Sequence, residues 1–320
     1  MAEPPRPDRT VRQDVEITSR GTVCRGWLTY PPDAAQHAVP LVLMAHGFGA
    51  TRDMLLEPYA RRFNAAGLAT LIFDYRGFGA SDGEPRNVLS PPGEVADWHA
   101  ALAYARTLPG IDPDRIALWG TSFAGGLVVI VAAEDGRIAA TVSQCPLLDG
   151  RAAVLEIARY AGMGALLRLS VHAVLDLARA ALGATPHRIP IVARPGEVGA
   201  MTSADAYDGY MRLTPPGFRN DVAARVVLAV PLFRPIRHAR RVTCPALLQL
   251  CEHDTVAPVR AAEKAAARMP ASEVVRYPVG HFDVYTGDAF ERSVSDQVAF
   301  LTRHLEPGGT SRQSSFERCP

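Results

Sequence analysis

The chain has 320 residues, a formal charge of +1 and 21% charged residues scattered along its length, which leaves no basic stripe for nucleic acid and no polybasic membrane patch. Lys264 is the sole lysine, so P-loop, Schiff-base and Ser-Lys chemistry are excluded. Five cysteines, at 24, 145, 244, 251 and 319, form no CxxC pair and read as buried free thiols of a reducing compartment.

In chain order, the Pro- and Arg-rich segment 1–13 lacks an apolar stretch, so disorder is expected there and a secretory signal is not. Residues 14–20 and 22–31 alternate polar and apolar and predict an antiparallel hairpin. The pattern then changes. "PLVLMAHG" (40–47) is a continuous apolar run ending in Gly, as a strand buried on both faces of a parallel sheet should be. The same kind of run recurs at 68–77, 115–122, 138–146, 245–254 and 273–281, and helical patterns at 53–66, 93–108, 123–134, 259–269 and 288–305 lie between. This alternation predicts an α/β fold with a doubly wound, mostly parallel sheet, its ligand site at the carboxyl ends of the strands.

One interval, 150–237, breaks the alternation after the sixth strand. It predicts a helix over 152–183, in which Arg168, His172, Asp176 and Arg179 form one narrow polar stripe on an otherwise apolar cylinder. Such a helix either packs on the main domain or belongs to a helical cap whose apolar underside roofs a substrate pocket. The expected organisation is a core in two parts, 14–149 and 238–306, with 150–237 as cap or lid and 307–320 as a disordered tail. No uninterrupted apolar run approaches the roughly 20 residues of a spanning helix. A cytoplasmic protein with neither nucleic-acid nor membrane partner is expected, and its Arg, Ala and Pro bias suits a GC-rich bacterial genome.

The residues that close the apolar runs carry the chemistry: His46-Gly47, Asp74, Ser122, Cys145-Pro146, Asp254 and His281. A serine, an acid and a histidine at neighbouring strand ends meet the needs of a nucleophile, its base and the group that orients the base. "ALWGTSFAGG" (117–126) adds a second signal, because serine suits neither a strand nor a helix interior. A sharp strand-to-helix turn that exposes the hydroxyl needs small neighbours, which Gly120, Ala124, Gly125 and Gly126 supply. The helix that follows would aim its free amides at a developing oxyanion.

Five segments in this order, "HGFG" (46–49), "DYRGFGASDG" (74–83), "GTSFAGG" (120–126), "EHDTVAP" (252–258) and "GHFDVY" (280–285), make the chain resemble the α/β-hydrolase family over roughly 14–305. The resemblance implies Ser122 as nucleophile, Asp254 as acid, His281 as base, and the backbone amides of Phe48 and Phe123 as oxyanion hole. Ala124 departs from the second glycine of the family's elbow, with Gly125 one residue later to relieve crowding. Asp149 stays open as an alternative acid, since some members place it after the earlier strand. The carboxyl-terminal stretch is similar to bacterial esterases and to the polyketide transferase or hydrolase group. The implied activity is hydrolysis of carboxylic esters through an acyl-enzyme, with acyl or polyketide transfer, or thioester cleavage, as the alternative. Phe48, Phe123, Phe282 and Tyr285 around the serine suit a small, uncharged, apolar acyl substrate. No cofactor and no metal are expected: there is no HExxH, and His172, His187 and His238 lack ligand spacing. His46 reads as a loop brace, Asp74, Arg76 and Ser81 as turn stabilisers, His253 as pointing away from the site, and Asp283 as too near His281 to orient it.

Overall fold

The computed structural model describes residues 12–306 except 33, 35 and 36. Strands β1 (Arg12–Ser19) and β2 (Thr22–Thr29) pair antiparallel across Arg20 and Gly21, both left-handed at φ 48° and 80°, as a two-residue hairpin turn requires. Next come β3 (Val39–Ala45), helix α1 (Leu56–Ala65), β4 (Ala69–Phe73), α2 (Pro91–Ala105), β5 (Ile111–Thr121), α3 (Phe123–Asp135) and β6 (Ala140–Gln144). The long interval holds α4 (Gly150–Ala181), β7 (Arg188–Ile189), α5 (Ala206–Met211), β8 (Val222–Ala223) and α6 (Val226–Ala229). The chain then returns through β9 (Ala246–Cys251), α7 (Val259–Ala266), β10 (Ser272–Tyr277) and α8 (Gly287–Leu305).

Eight strands form one sheet in the order β1-β2-β4-β3-β5-β6-β9-β10, and only β2 runs against its neighbours. Every residue of β3, β4, β6 and β9 is buried, which is why β3 and β4 read as near-continuous apolar runs, while β6 and β9 carry the buried polar residues Thr141, Ser143, Gln144 and Gln249. A buried polar network crosses the sheet. Trp119 Nε1 donates to Gln297 Oε1 (2.9 Å), and Gln297 Nε2 donates to the side-chain oxygens of Gln144 (2.9 Å) and Gln249 (2.6 Å). These bonds tie β5, β6 and β9 to α8 with their polar atoms satisfied.

The tail segments expected to be disordered lie outside the described residues, save Arg12 and Gln13, which open β1; Cys319 lies outside them too. Cys24, Cys145, Cys244 and Cys251 are free thiols. Asp149 caps α4 by accepting from the Arg151 amide (3.0 Å) and pairs with Arg234 (2.8 Å), so both of its oxygens are engaged away from the other candidates. Helix α4 breaks at Gly162, whose φ of 81° departs from the helix.

Of the polar stripe of α4, Asp176 is buried and His172 half-buried, while Arg168 stays exposed. Asp176, 0% exposed, accepts from the amides of His187 (2.8 Å) and Arg225 (2.9 Å) and pairs with the Arg225 guanidinium (2.6 Å). His172 Nδ1 lies 2.7 Å from His187 Nε2, with the rings stacked. The loops after α4 present amide donors and an arginine, and the helix turns its carboxylate to them because charge-assisted bonds hold best away from water.

Candidate active site

The strand-to-helix turn is built by backbone contacts. Ser122 adopts φ 56° and ψ −115°, a sparsely populated conformation that costs on the order of 1–3 kcal/mol unless its surroundings hold it. They do: the Ser122 amide donates to Gln144 O (2.8 Å), and Ser122 O accepts from the Leu147 amide (2.9 Å). A Cβ on Gly120 would come within 2.3 Å of Ala124 O, so this position admits only glycine, whereas Ala124 itself is accommodated. Ser122 occupies the cap position of α3, yet its hydroxyl makes no capping bond.

That hydroxyl lies 3.0 Å from His281 Nε2, and His281 Nδ1 lies 2.6 Å from Asp254 Oδ2. The tautomer consistent with both contacts has Nδ1–H donating to the carboxylate and Nε2 accepting from serine. Asp254 Oδ1 accepts from the amides of Val256 (2.8 Å) and Ala257 (2.6 Å), which fixes the carboxylate after β9. Ser122, Asp254 and His281 thus meet at the carboxyl edge of the sheet, after β5, β9 and β10. Burial works to lower the pKa of His281, but the Asp254 carboxylate and the neighbouring Cys145 outweigh it and hold the imidazole well above its ordinary 6.5. Burial raises Asp254, and His281 opposes that rise.

The loop between β3 and α1 passes directly against the serine: a Cβ on Gly47 would sit 3.1 Å from Ser122 Cβ. Among the described residues the Phe48 amide donates no hydrogen bond to the protein, and Phe123 opens α3, where an amide has no partner within the helix. Tyr210 from α5 braces this loop by donating to Phe48 O (3.0 Å).

The supporting residues take the places expected of them. His46 Nδ1 lies 3.1 Å from Gly47 O, and burial lowers its pKa to about 4, so the ring is neutral at pH 7. Asp74 accepts from the amides of Arg52 (2.7 Å) and Ala80 (3.0 Å), Ser81 donates to Asp74 O (2.7 Å), and Arg76 pairs with buried Asp97. Asp283 pairs with Arg212 (3.3 Å) at the surface, and His253 is exposed.

Sequence reasoning placed Cys145 at a strand end and Tyr285 near the serine, but missed Thr121 and the contact of the three beneath the imidazole. Tyr285 Oη bonds Thr121 Oγ1 and lies 3.6 Å from Cys145 Sγ, while Cys145 has a left-handed backbone at φ 37°. The positive φ of a non-glycine residue directly after β6 is not readable from a sequence.

Two cavities share Ser122. One, of about 400 Å³, is almost wholly apolar and is walled by Phe48, Phe123, Leu166 and Leu167 of α4, and Val227 and Leu228 of α6. The other, of about 40 Å³, lies on the His281 side and is walled by Tyr210, Leu213, Phe282 and Tyr285. Among the described residues, no group of three or more His, Cys, Asp or Glu side chains is placed to hold a metal ion.

The profile of the serine aminopeptidase S33 family of hydrolases matches residues 36–280. The chain belongs to this family of α/β hydrolases. The hydrolase is 42% identical over 292 residues, 91% of its chain and 94% of the relative, to the quorum-quenching protein AidA of Acinetobacter baumannii. It is 29% identical to the polyketide transferase grgF of Penicillium sp., covering 92% of this chain and 97% of that one. The crystal structure of the α/β hydrolase GrgF from Penicillium sp. superposes with a TM-score of 0.77 at 28% identity, over 92% of the hydrolase and 99% of that chain.

Proposed function

We propose that this hydrolase cleaves carboxylic esters of apolar acids through an acyl-enzyme on Ser122. The observation that carries the reading is the unbroken chain from Asp254 through His281 to the Ser122 hydroxyl, opening onto a chamber of about 400 Å³ with apolar walls. His281 takes the serine proton as Oγ attacks the acyl carbon, and the amides of Phe48 and Phe123 receive the oxyanion. His281 then gives that proton to the departing alcohol and takes one from the water that cleaves the acyl-enzyme. Asp254 keeps Nε2 facing the serine and stabilises the imidazolium formed in each step. Losing one oxyanion donor costs on the order of 3 kcal/mol of transition-state stabilisation.

The names of the relatives raise a second reading, transfer of the acyl group to an acceptor other than water, or cleavage of a thioester. The small size of the cavity beside His281, about 40 Å³ against about 400 Å³ for the apolar chamber, supports water as the acceptor. The test is a series of nitrophenyl esters of increasing acyl length, read with and without an added alcohol acceptor. Ser122→Ala is expected to lower turnover by about 10⁵-fold or more. Undiminished turnover in that variant overturns the mechanism, and an acyl product built on the acceptor in preference to the free acid overturns hydrolysis.

A further inference from the structure

Turning Asp176 of α4 inward leaves most of the helix's apolar residues outside. Beyond the break at Gly162, Met163, Leu167, Val171, Val174, Leu175 and Leu182 are exposed, Leu167 at 68% and Leu182 at 84%. An exposed apolar surface of this extent on one element marks a place where something binds. Twenty residues of helix make the strip about 30 Å long. Asp176, the only carboxylate between 163 and 182, is buried against Arg225, so no negative charge is presented there. The two arginines beside the strip, Arg168 and Arg179, bond neutral oxygens of Gly196 and Thr185, and among the described residues neither pairs with a carboxylate.

The charge of the chain is also divided. Residues 150–237 hold eleven arginines against six carboxylates, a net +5, while the rest holds twenty-three basic and twenty-seven acidic residues, a net −4. The overall +1 conceals this. A second copy docked strip to strip would bring two positive segments together, whereas an anionic surface with an apolar interior satisfies both the leucines and the arginines.

We propose that the outer face of α4, from Met163 to Leu182, docks the protein onto the surface of an anionic lipid bilayer. The helix is long and apolar enough to span a bilayer by length and composition, but its inner face is pinned along the cap by buried Leu169, Ala173 and Asp176. It therefore lies along the membrane interface and does not cross it. Met163 and Leu167 are exposed and also line the large chamber, so the docked face borders the chamber's mouth and an apolar substrate can pass from lipid without entering water. This departs from the expectation of no membrane partner, which rested on the chain-wide charge.

The experiment is co-sedimentation of the full chain with vesicles of phosphatidylcholine alone or mixed with phosphatidylglycerol, at low and high salt. The wild type is expected in the pellet with phosphatidylglycerol vesicles at low salt, with weaker binding at high salt and to phosphatidylcholine alone. The triple variant Val171→Asn, Val174→Gln, Leu182→Gln, whose sites lie outside the chamber and the triad, is expected to bind at least about tenfold more weakly. Its circular dichroism, melting point and hydrolysis of a short ester without vesicles should match the wild type, which separates lost docking from lost folding or catalysis. Wild-type protein that stays in the supernatant, or a variant that binds equally, overturns the proposal. So does a wild-type dimer in sedimentation equilibrium that the same triple variant dissociates, because the strip is then covered by a second copy.

Discussion

Asp254 divides its two oxygens: one is held by the amides of Val256 and Ala257, the other by His281. Asparagine at this position would keep a similar shape but favour the wrong imidazole tautomer, so Asp254→Asn is expected to lower kcat by about 10⁴-fold. The pH profile gives a second readout. In the proposed mechanism His281 acts as a base only when neutral, and its pKa is held above 6.5, so kcat/KM of the wild type should climb with pH along a limb centred above that value. In Asp254→Asn burial acts with far less opposition, and the limb should move towards lower pH; a wild-type limb at or below 6.5 contradicts this electrostatic account. The same raised pKa stabilises the folded state fully below pH 6.5, and this contribution fades as the pH rises through the folded value. Ser122 was legible in the sequence because serine suits neither element it joins, and Asp254 and His281 because each closes an apolar run. The contact of Thr121, Cys145 and Tyr285 beneath the imidazole was not, because it depends on side chains from distant positions converging.

At the scale of elements, α4 is held by its inward carboxylate. Asp176→Ala would leave Arg225 without its partner and is expected to cost about 3–5 kcal/mol, measured by chemical denaturation. Burial alone would raise the pKa of Asp176, but Arg225 and the two amides lower it, so its stabilisation is present above the ordinary carboxylate pKa and is lost as the pH falls through the folded value. A denaturation midpoint for Asp176→Ala equal to the wild type at pH 7 contradicts this role. Gln297→Ala removes the hub between Trp119, Gln144 and Gln249; each stranded buried group costs about 1–3 kcal/mol, a loss readable in the same assay. The central strands β3, β4 and β5 were legible because double burial makes them near-continuous apolar runs, and β1 and β2 because their residues alternate. The direction of α4 was not: amphipathic patterning assumes that polar residues face water, and here the partners of Asp176 lie inside. The two-residue strands β7 and β8 and the short helices α5 and α6 carry too few residues for any period to register.

Over the whole molecule, parallel topology gathers the strand ends at one edge, and the long interval between β6 and β9 supplies walls of the chamber there. Ligands of open α/β sheets bind at this edge, which is why the order of motifs pointed to a candidate site there. The shape of the chamber was not legible, since it depends on how α4 and α6 sit above Ser122. Two unequal cavities at one serine predict a lopsided substrate preference, broad in the acyl group and narrow in the alcohol. Leu166→Trp, on the wall of the large chamber, should therefore lower kcat/KM for long-chain esters relative to acetate by about tenfold or more in a competition assay. An unchanged ratio means that the chain lies elsewhere. The central claim, that Ser122 is made nucleophilic by His281, is tested most directly by intact-protein mass spectrometry after exposure to a fluorophosphonate. The account predicts a single adduct that maps to Ser122, is absent from Ser122→Ala and forms far more slowly in His281→Ala; an unmodified wild type, or an adduct that persists in Ser122→Ala, would contradict it.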